Sequence, residues 1–240
     1  MTRIIACIRS YNEQERIEKC CQAYQFCDQI LISDGGSTDK TVELAFRFPK
    51  VKVKPFWKKV ECKNGIFRNP DGEHLNFLWD WAREEGADWI ISQDCDQRPN
   101  KFLKEQARQI MENTDKNFIL PVQIFLWKKT QYFPHLSKHG GYGDWMHGIW
   151  AHRTSINLKV VDNMPHYWFT LDGTTMFDPI KANDYEQVDP PACYLHDGWN
   201  TEENVIKMIK YYRNSGLIPG QNHPLWMGGK PYPILEWMIE

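Results

Sequence analysis

Ala87-Asp88-Trp89-Ile90-Ile91-Ser92-Gln93-Asp94-Cys95-Asp96 is the stretch on which the fold turns. Trp89-Ile90-Ile91 is an apolar run bounded by Gly86 and by Arg98-Pro99, and it reads as a short buried strand. The run ends in two aspartates one residue apart. At the carboxyl end of a parallel strand, ligands bind in the crevice just beyond the sheet. Two carboxylates placed there repel each other unless a positive charge sits between them. A divalent cation such as Mg2+ or Mn2+ is the simplest partner, because hard cations favour oxygen ligands. The same ten residues also fit a surface turn with two solvated acids, so the surrounding chain has to decide.

Upstream, a helix ending near Glu85 carries Leu75, Leu78, Trp79 and Ala82 on one face and delivers the chain to that strand. Before it lies a loop from Asn64 to Gly72. Its Arg68 can reach a phosphate or carboxylate, or form a surface ion pair. Further back, Ile4 to Ile8 reads as a first strand, followed by the loop Ser10-Tyr11-Asn12-Glu13. Ile17, Cys20, Cys21 and Tyr24 are spaced for a helix over Glu13 to Cys27, with Ser10 or Asn12 as its N-cap. Gln29-Ile30-Leu31-Ile32-Ser33 is a second strand, which completes a βαβ unit. Asp34-Gly35-Gly36-Ser37-Thr38-Asp39-Lys40-Thr41 follows. Its glycines allow a tight turn and close backbone approach to a ligand, or simply an ordinary βα turn. Ser37 is placed to cap the next helix, which Pro49 ends. Val51 to Trp57 alternates as a third strand with one face exposed. Lys50 to Lys63 holds six lysines against Glu61. Such a stretch suits an edge strand guarded against aggregation, and less well an anionic acceptor such as nucleic acid.

Downstream, Lys101 to Asn113 is an amphipathic helix with Phe102, Leu103, Ile110 and Met111, and Phe118 to Trp127 is a long strand. Lys128 to Asp178 is rich in Gly, His and aromatic residues, among them His135, His139, Tyr142, Trp145, His147, Trp150, His152 and His166. A region of this composition suits sugars or flat rings, or a set of short antiparallel strands covering the sheet. Pro190 to Trp199 ends a short strand. A last helix starts at Thr201, and a proline-rich tail wraps the body.

With 240 residues and 42% apolar content the chain has enough material for one large core. A formal net charge of −2 gives no global field toward nucleic acid or membrane. No signal peptide and no apolar window of membrane-spanning length is read. Seven scattered cysteines fit neither a disulfide framework nor a zinc site, which favours a reducing cytoplasm.

Ser10-Tyr11-Asn12-Glu13, the turn Asp34 to Thr41, Phe67-Arg68-Asn69 and Asp94-Cys95-Asp96, in this order and spacing, resemble the family 2 glycosyltransferases. The stretch Leu195-His196-Asp197-Gly198-Trp199 to Tyr211-Tyr212 is similar to bacterial members that modify lipopolysaccharide cores. The resemblance implies an α/β GT-A fold: a single Rossmann-like domain over 1–240 with a central, mostly parallel mixed sheet flanked by helices. Residues 1 to about 100 would form the nucleotide-sugar-binding half, and about 101–240 the acceptor-binding half and tail. It also implies a cytoplasmic enzyme, peripheral to the inner membrane if it meets a membrane at all.

The implied reaction is transfer of a sugar from a nucleotide-sugar, a UDP-sugar first, to an acceptor hydroxyl with inversion, in the presence of Mn2+ or Mg2+. Asp96, Asp94 and His196 would hold the metal, with Asp94 also serving the ribose. Ser10, Tyr11, Glu13, Asp34, Gly35, Arg68, Asp94 and Cys95 would bind the nucleotide-sugar, Asp34 through the base edge. The general base is Asp144, with Asp162 and His166 in reserve. The acceptor stays open among a core sugar, a capsule precursor, a protein side chain and, least favoured, a nucleobase in DNA. A nucleotidyltransferase would carry glycines in the loop after the first strand, which Arg9 to Glu13 lacks. A binding protein without catalysis is the other alternative, separated by metal-dependent turnover.

Overall fold

Ile4, Ala6 and Ile8 alternate with Ile5 and Cys7, and all five are fully buried. Side chains on a strand alternate between faces, so a run buried at every position needs cover on both sides. The computed structural model supplies that cover. It describes residues 1–61, 65, 67–127, 131–134, 149–163, 166–171, 173, 175–198, 201, 203, 206 and 232–233. In chain order its elements are β1 (Ile4–Ser10), α1 (Ile17–Ala23), β2 (Gln29–Asp34), α2 (Thr41–Ala45), β3 (Val51–Pro55), β4 (Val60–Glu61) and β5 (Phe67–Arg68). Next come α3 (Asp71–Glu84), β6 (Trp89–Asp94), β7 (Gln97–Pro99), α4 (Lys101–Asn113), β8 (Phe118–Trp127) and β9 (Gln131–Pro134). The rest are β10 (Ala151–Arg153), β11 (Leu158–Asn163), β12 (His166–Leu171), β13 (Thr175–Met176), β14 (Tyr185–His196) and β15 (Tyr232–Pro233).

One half of the main sheet runs β3-β2-β1-β6, with every pair parallel. β10 then enters antiparallel between β6 and β8, and β14 runs parallel to β8 and antiparallel to β7. On one face Ile4, Ala6, Ile8, Ile30, Ile32, Trp89 and Ile91 pack with Ile17, Cys20 and Cys21 of α1 and Leu103, Ala107 and Met111 of α4. On the other, Ile5, Cys7, Leu31 and Ile90 pack with Leu75, Leu78, Trp79 and Ala82 of α3, the face read from its spacing. β3 is the edge strand, as its lysines led us to expect.

Several boundaries differ from the sequence reading. The first helix is confined to Ile17–Ala23, and its N-cap is Arg16 without a side-chain cap, not Ser10 or Asn12. Asn12 takes a left-handed φ of 55° and its side chain is drawn into the neighbouring turn, so residues 13–16 form a turn instead of a first helical turn. The next helix starts at Thr41 because Ser37 bonds Asp34 and does not cap. The strand ending at His196 is long, with a register shift between Val188 and Cys193 around Pro190 and Pro191, which have no N–H to donate. The aromatic region contributes the antiparallel sheet β11-β12-β13, whose Leu158 and Val160 lie against α3. The helix expected from Thr201 falls almost wholly outside the described residues.

Candidate functional site

Parallel register brings the carboxyl ends of three strands together: Ser10 lies opposite Asp34, and Arg9 opposite Asp94. A crevice at these ends is where α/β sheets hold ligands. The Asp34 turn is a closed polar network. Asp34 Oδ2 accepts from the backbone of Gly36 at 2.9 Å and Ser37 at 2.7 Å. Its Oδ1 accepts from Ser37 Oγ at 2.5 Å and Ser10 Oγ at 3.3 Å. Four donors thus engage the carboxylate of Asp34, the residue expected at the base edge, which is 5% exposed. Asn12 N and Glu13 N donate to Ser37 Oγ and Thr41 Oγ1, and Thr38 N donates to Asn12 Oδ1, so the Ser10–Glu13 loop is laced to the turn. Gly36 has φ 92°, open to glycine and strained for other residues. A side chain at Gly35 would meet Asn69 Nδ2 at 2.8 Å. Lys59 Nζ bonds Gly35 O at 2.6 Å and lies 5.0 Å from the exposed Tyr11 ring.

The two aspartates after β6 have different surroundings. Asp94 is gripped by Arg9, Nε to Oδ1 at 2.7 Å and Nη2 to Oδ2 at 3.0 Å. Arg9 Nη1 also donates to Asp71 at the start of α3, at 3.1 Å. Cys95 turns inward. It belongs to the α1 side of the core, and its hydrogen bond with Cys20 together with burial pushes its thiol well above the usual range. The side chain of Cys95, a residue expected at the nucleotide-sugar, thus packs in the core.

Asp96 meets His196 across about a hundred residues of chain. The ladder does this: β14 pairs antiparallel with β7, so His196 lies opposite Gln97, just past Asp96. Asn100 anchors the arrangement. Its side chain caps α4 at Leu103 N and also binds Cys193 N and Pro191 O of β14. His196 Nε2 stands 3.6 Å from Asp96 Oδ2, and Asp197 N donates to Asp96 O at 2.9 Å. Asp197 is held by Arg98 at 2.5 Å and faces Arg16 at 3.5 Å, and Arg16 pairs with Glu13 at 2.8 Å. Burial raises the Asp96 carboxyl above the ordinary aspartate range; His196 opposes the rise, and Asp94 and Asp197 add to it. Burial also raises Glu13, against the pull of Arg16.

Asp96 Oδ1 and His196 Nδ1 are buried without a hydrogen-bond partner. A Cβ at Gly198 would come within 2.0 Å of Asp96 Oδ2 and 3.4 Å of His196 Cε1. A carboxylate and an imidazole with unsatisfied atoms, closed over by a residue that has no room for a side chain, fit a divalent cation. Of the expected metal set, Asp96 faces His196 while Asp94 faces Arg9, and among the described residues no group of three or more His, Cys, Asp or Glu is arranged to hold a metal.

The remaining expectations divide. Asp162 accepts from Gly72 N at 2.9 Å and Glu73 N at 3.4 Å, so it braces the first turn of α3. His166 starts β12 and Arg68 lies in β5, but their side chains are outside the described residues, as is all of Asp144. Of the lysines between 50 and 63, Lys52 pairs with Glu85, Lys58 with Glu73, Lys54 covers the Trp81 ring, and Lys50 and Lys59 bond carbonyls. Arg9, Arg16, Arg98 and Gly198 escaped the sequence reading. The signal for Arg9 lies in the register that sets it opposite Asp94, and that for Gly198 in the β14–β7 pairing that brings the chain beside Asp96.

The arrangement has relatives. An uncharacterized glycosyltransferase of Rickettsia bellii (strain RML369-C) is 30% identical over 129 residues, 52% of this chain and 38% of the relative, so the chain spans well under half of that protein. The crystal structure of S. aureus TarS matches with a TM-score of 0.54 at 14% identity, over 82% of this chain and 37% of TarS. TarS 1–349 in complex with UDP-GlcNAc matches at 0.54 and 14%, over 85% and 61%. A mycobacterial protein matches at 0.51 and 12%, over 97% and 84%. These likenesses establish the GT-A fold. The model of glycosyl transferase family 2 matches residues 5–171, which include the Asp34 turn, Arg9 and the Asp94–Asp96 pair, and the chain belongs to that family.

Proposed function

We propose that this chain moves a sugar from a UDP-sugar to an acceptor hydroxyl, inverting the anomeric carbon, with the help of a divalent cation. The observation that carries this reading is the Asp96–His196 pair, with its unsatisfied atoms and the Gly198 closure, at the strand ends beside the Asp34 turn. The UDP-GlcNAc complex of TarS supports a UDP-sugar as the donor class. Residues 1–100 act as the donor half and the remainder as the acceptor half and tail.

In this reading the base and ribose lie along the Tyr11–Glu13 loop and the turn shaped by Asp34. The 3.3 Å contact from Ser10 is the weakest of the four on Asp34, and it is the one a base N–H would replace. Arg68 approaches the diphosphate. Asp96 and His196 hold the cation, which supplies positive charge to the diphosphate as it leaves. Asp144 takes the acceptor proton while the hydroxyl oxygen bonds to the anomeric carbon and the bond to the diphosphate breaks, its electron pair leaving with the phosphate. Asp162 and His166 are the reserve bases, and Asp162 also holds the first turn of α3. The partnered lysines of the third-strand region favour a glycan hydroxyl over nucleic acid as acceptor. The six described cysteines are free thiols, in keeping with a reducing compartment.

The test is UDP-sugar hydrolysis and transfer with and without Mn2+, for the natural chain and D144N. We expect Mn2+-dependent turnover, and we expect D144N to bind UDP normally while losing transfer. Absence of metal-dependent turnover with any donor would sink the enzyme reading. Normal transfer by D144N would move the base to Asp162 or His166.

A further inference from the structure

Arg9, the last residue but one of β1, lies directly opposite Asp94 on β6. Its side chain is 16% exposed, against 41% for Asp94. Nε and Nη2 each take one oxygen of Asp94, and Nη1 takes Asp71. A planar guanidinium that binds both oxygens of a carboxylate sets its plane as well as its position, which a lysine cannot do. The grip is braced from a second element. Asp71 opens α3, and Asp162 on β11 holds the backbone of Gly72 and Glu73 in the same turn. A Cβ at Gly72 would meet Asp162 N and Oδ2, each at 3.0 Å, so the brace is close-packed.

This geometry separates the two aspartates in charge as well as place. Arg9 divides its single positive charge between Asp94 and Asp71, so Asp94 is partly neutralised and attracts a cation less than Asp96, which has no bidentate arginine. Asp94 nonetheless keeps a large part of its side chain open at the crevice. We infer that Arg9 is a positioning residue of the donor site: it holds Asp94 off the cation and presents it as a hydrogen-bond acceptor to a donor hydroxyl, leaving Asp96 and His196 as the protein's cation ligands. The inference rests on reading the crevice as a cation-dependent nucleotide-sugar site.

The test measures Mn2+ uptake by electron paramagnetic resonance at saturating UDP, with UDP affinity measured separately, for the natural chain, R9M and R9M/D94N. The double variant removes Arg9 and Asp94 together and leaves Asp71, whose side chain is 33% exposed at the start of α3, without its arginine; it remains informative if R9M alone fails to fold. We expect R9M/D94N to keep Mn2+ affinity within about threefold while UDP affinity falls about tenfold, the scale of one lost hydrogen bond to a charged group. In R9M the unneutralised Asp94 should tighten Mn2+ binding by roughly fivefold or more. The readout that a merely structural ion pair would not give is the fall in UDP affinity with Mn2+ affinity kept in R9M/D94N. Loss of Mn2+ affinity by tenfold or more in the double variant, unchanged UDP affinity in it, or no gain in a folded R9M would each overturn the role of Arg9. A natural chain that takes up no Mn2+ with UDP would instead overturn the underlying reading of the site.

Discussion

The crevice has two polar regions, built on opposite plans. At the Asp34 turn every oxygen of the carboxylate is engaged by Gly36, Ser37 or Ser10, and the neighbouring loop is tied in through Asn12 and Glu13. At the Asp96–His196 pair, Asp96 Oδ1 and His196 Nδ1 are buried and unpartnered. Buried polar atoms left unmatched cost on the order of 1–3 kcal/mol each. A satisfied network spends its hydrogen bonds on holding a backbone shape. An unsatisfied one keeps them for a ligand, at the expense of stability. In the proposed reading the first region makes the walls of the site and the second its chemistry.

Breaking the second region should cost function before stability. G198A places a methyl against Asp96 Oδ2, which must shift. We expect Mn2+-dependent UDP binding to weaken about 10- to 100-fold, the range for disturbing groups that orient a metal ligand, with unfolding little changed. Calorimetry of UDP with Mn2+ measures it, and unaltered affinity would place the cation elsewhere. Breaking the first region should do the reverse. S37A removes the Oγ donor to Asp34 and the acceptor for Asn12 N. We expect a loss of roughly 1–3 kcal/mol in urea unfolding, with Mn2+ uptake unchanged. A fall in Mn2+ uptake without loss of stability would erase the distinction between the regions.

How far the sequence led depended on whether the interactions were local. β1, β2, β6 and α3 were legible because a strand buried on both faces and a helix with one apolar stripe leave strong periodic marks. Asp94 and Asp96 were legible as a pair at a strand end. Their separation into two roles was not, because it depends on Arg9 across one ladder and His196 across another. The trimmed first helix was hidden for a similar reason. Asn12 and Glu13 look like a helix start but bond to residues 37–41 of the next turn. Asp162 was named as a reserve base from its type and its place beyond the aspartate pair, and its hold on α3 shows only when β11 is laid beside that helix.

The central claim is that Asp96 and His196, not Asp94 or the Asp34 turn, hold the cation that makes donor binding metal-dependent. The most direct measurement is a calorimetric titration of UDP into the natural chain and D96A, with Mn2+ and with chelator. We predict Mn2+-dependent UDP binding in the natural chain and none in D96A, whose remaining affinity should match the natural chain in chelator. D96A that binds UDP with Mn2+ as tightly as the natural chain would contradict the claim.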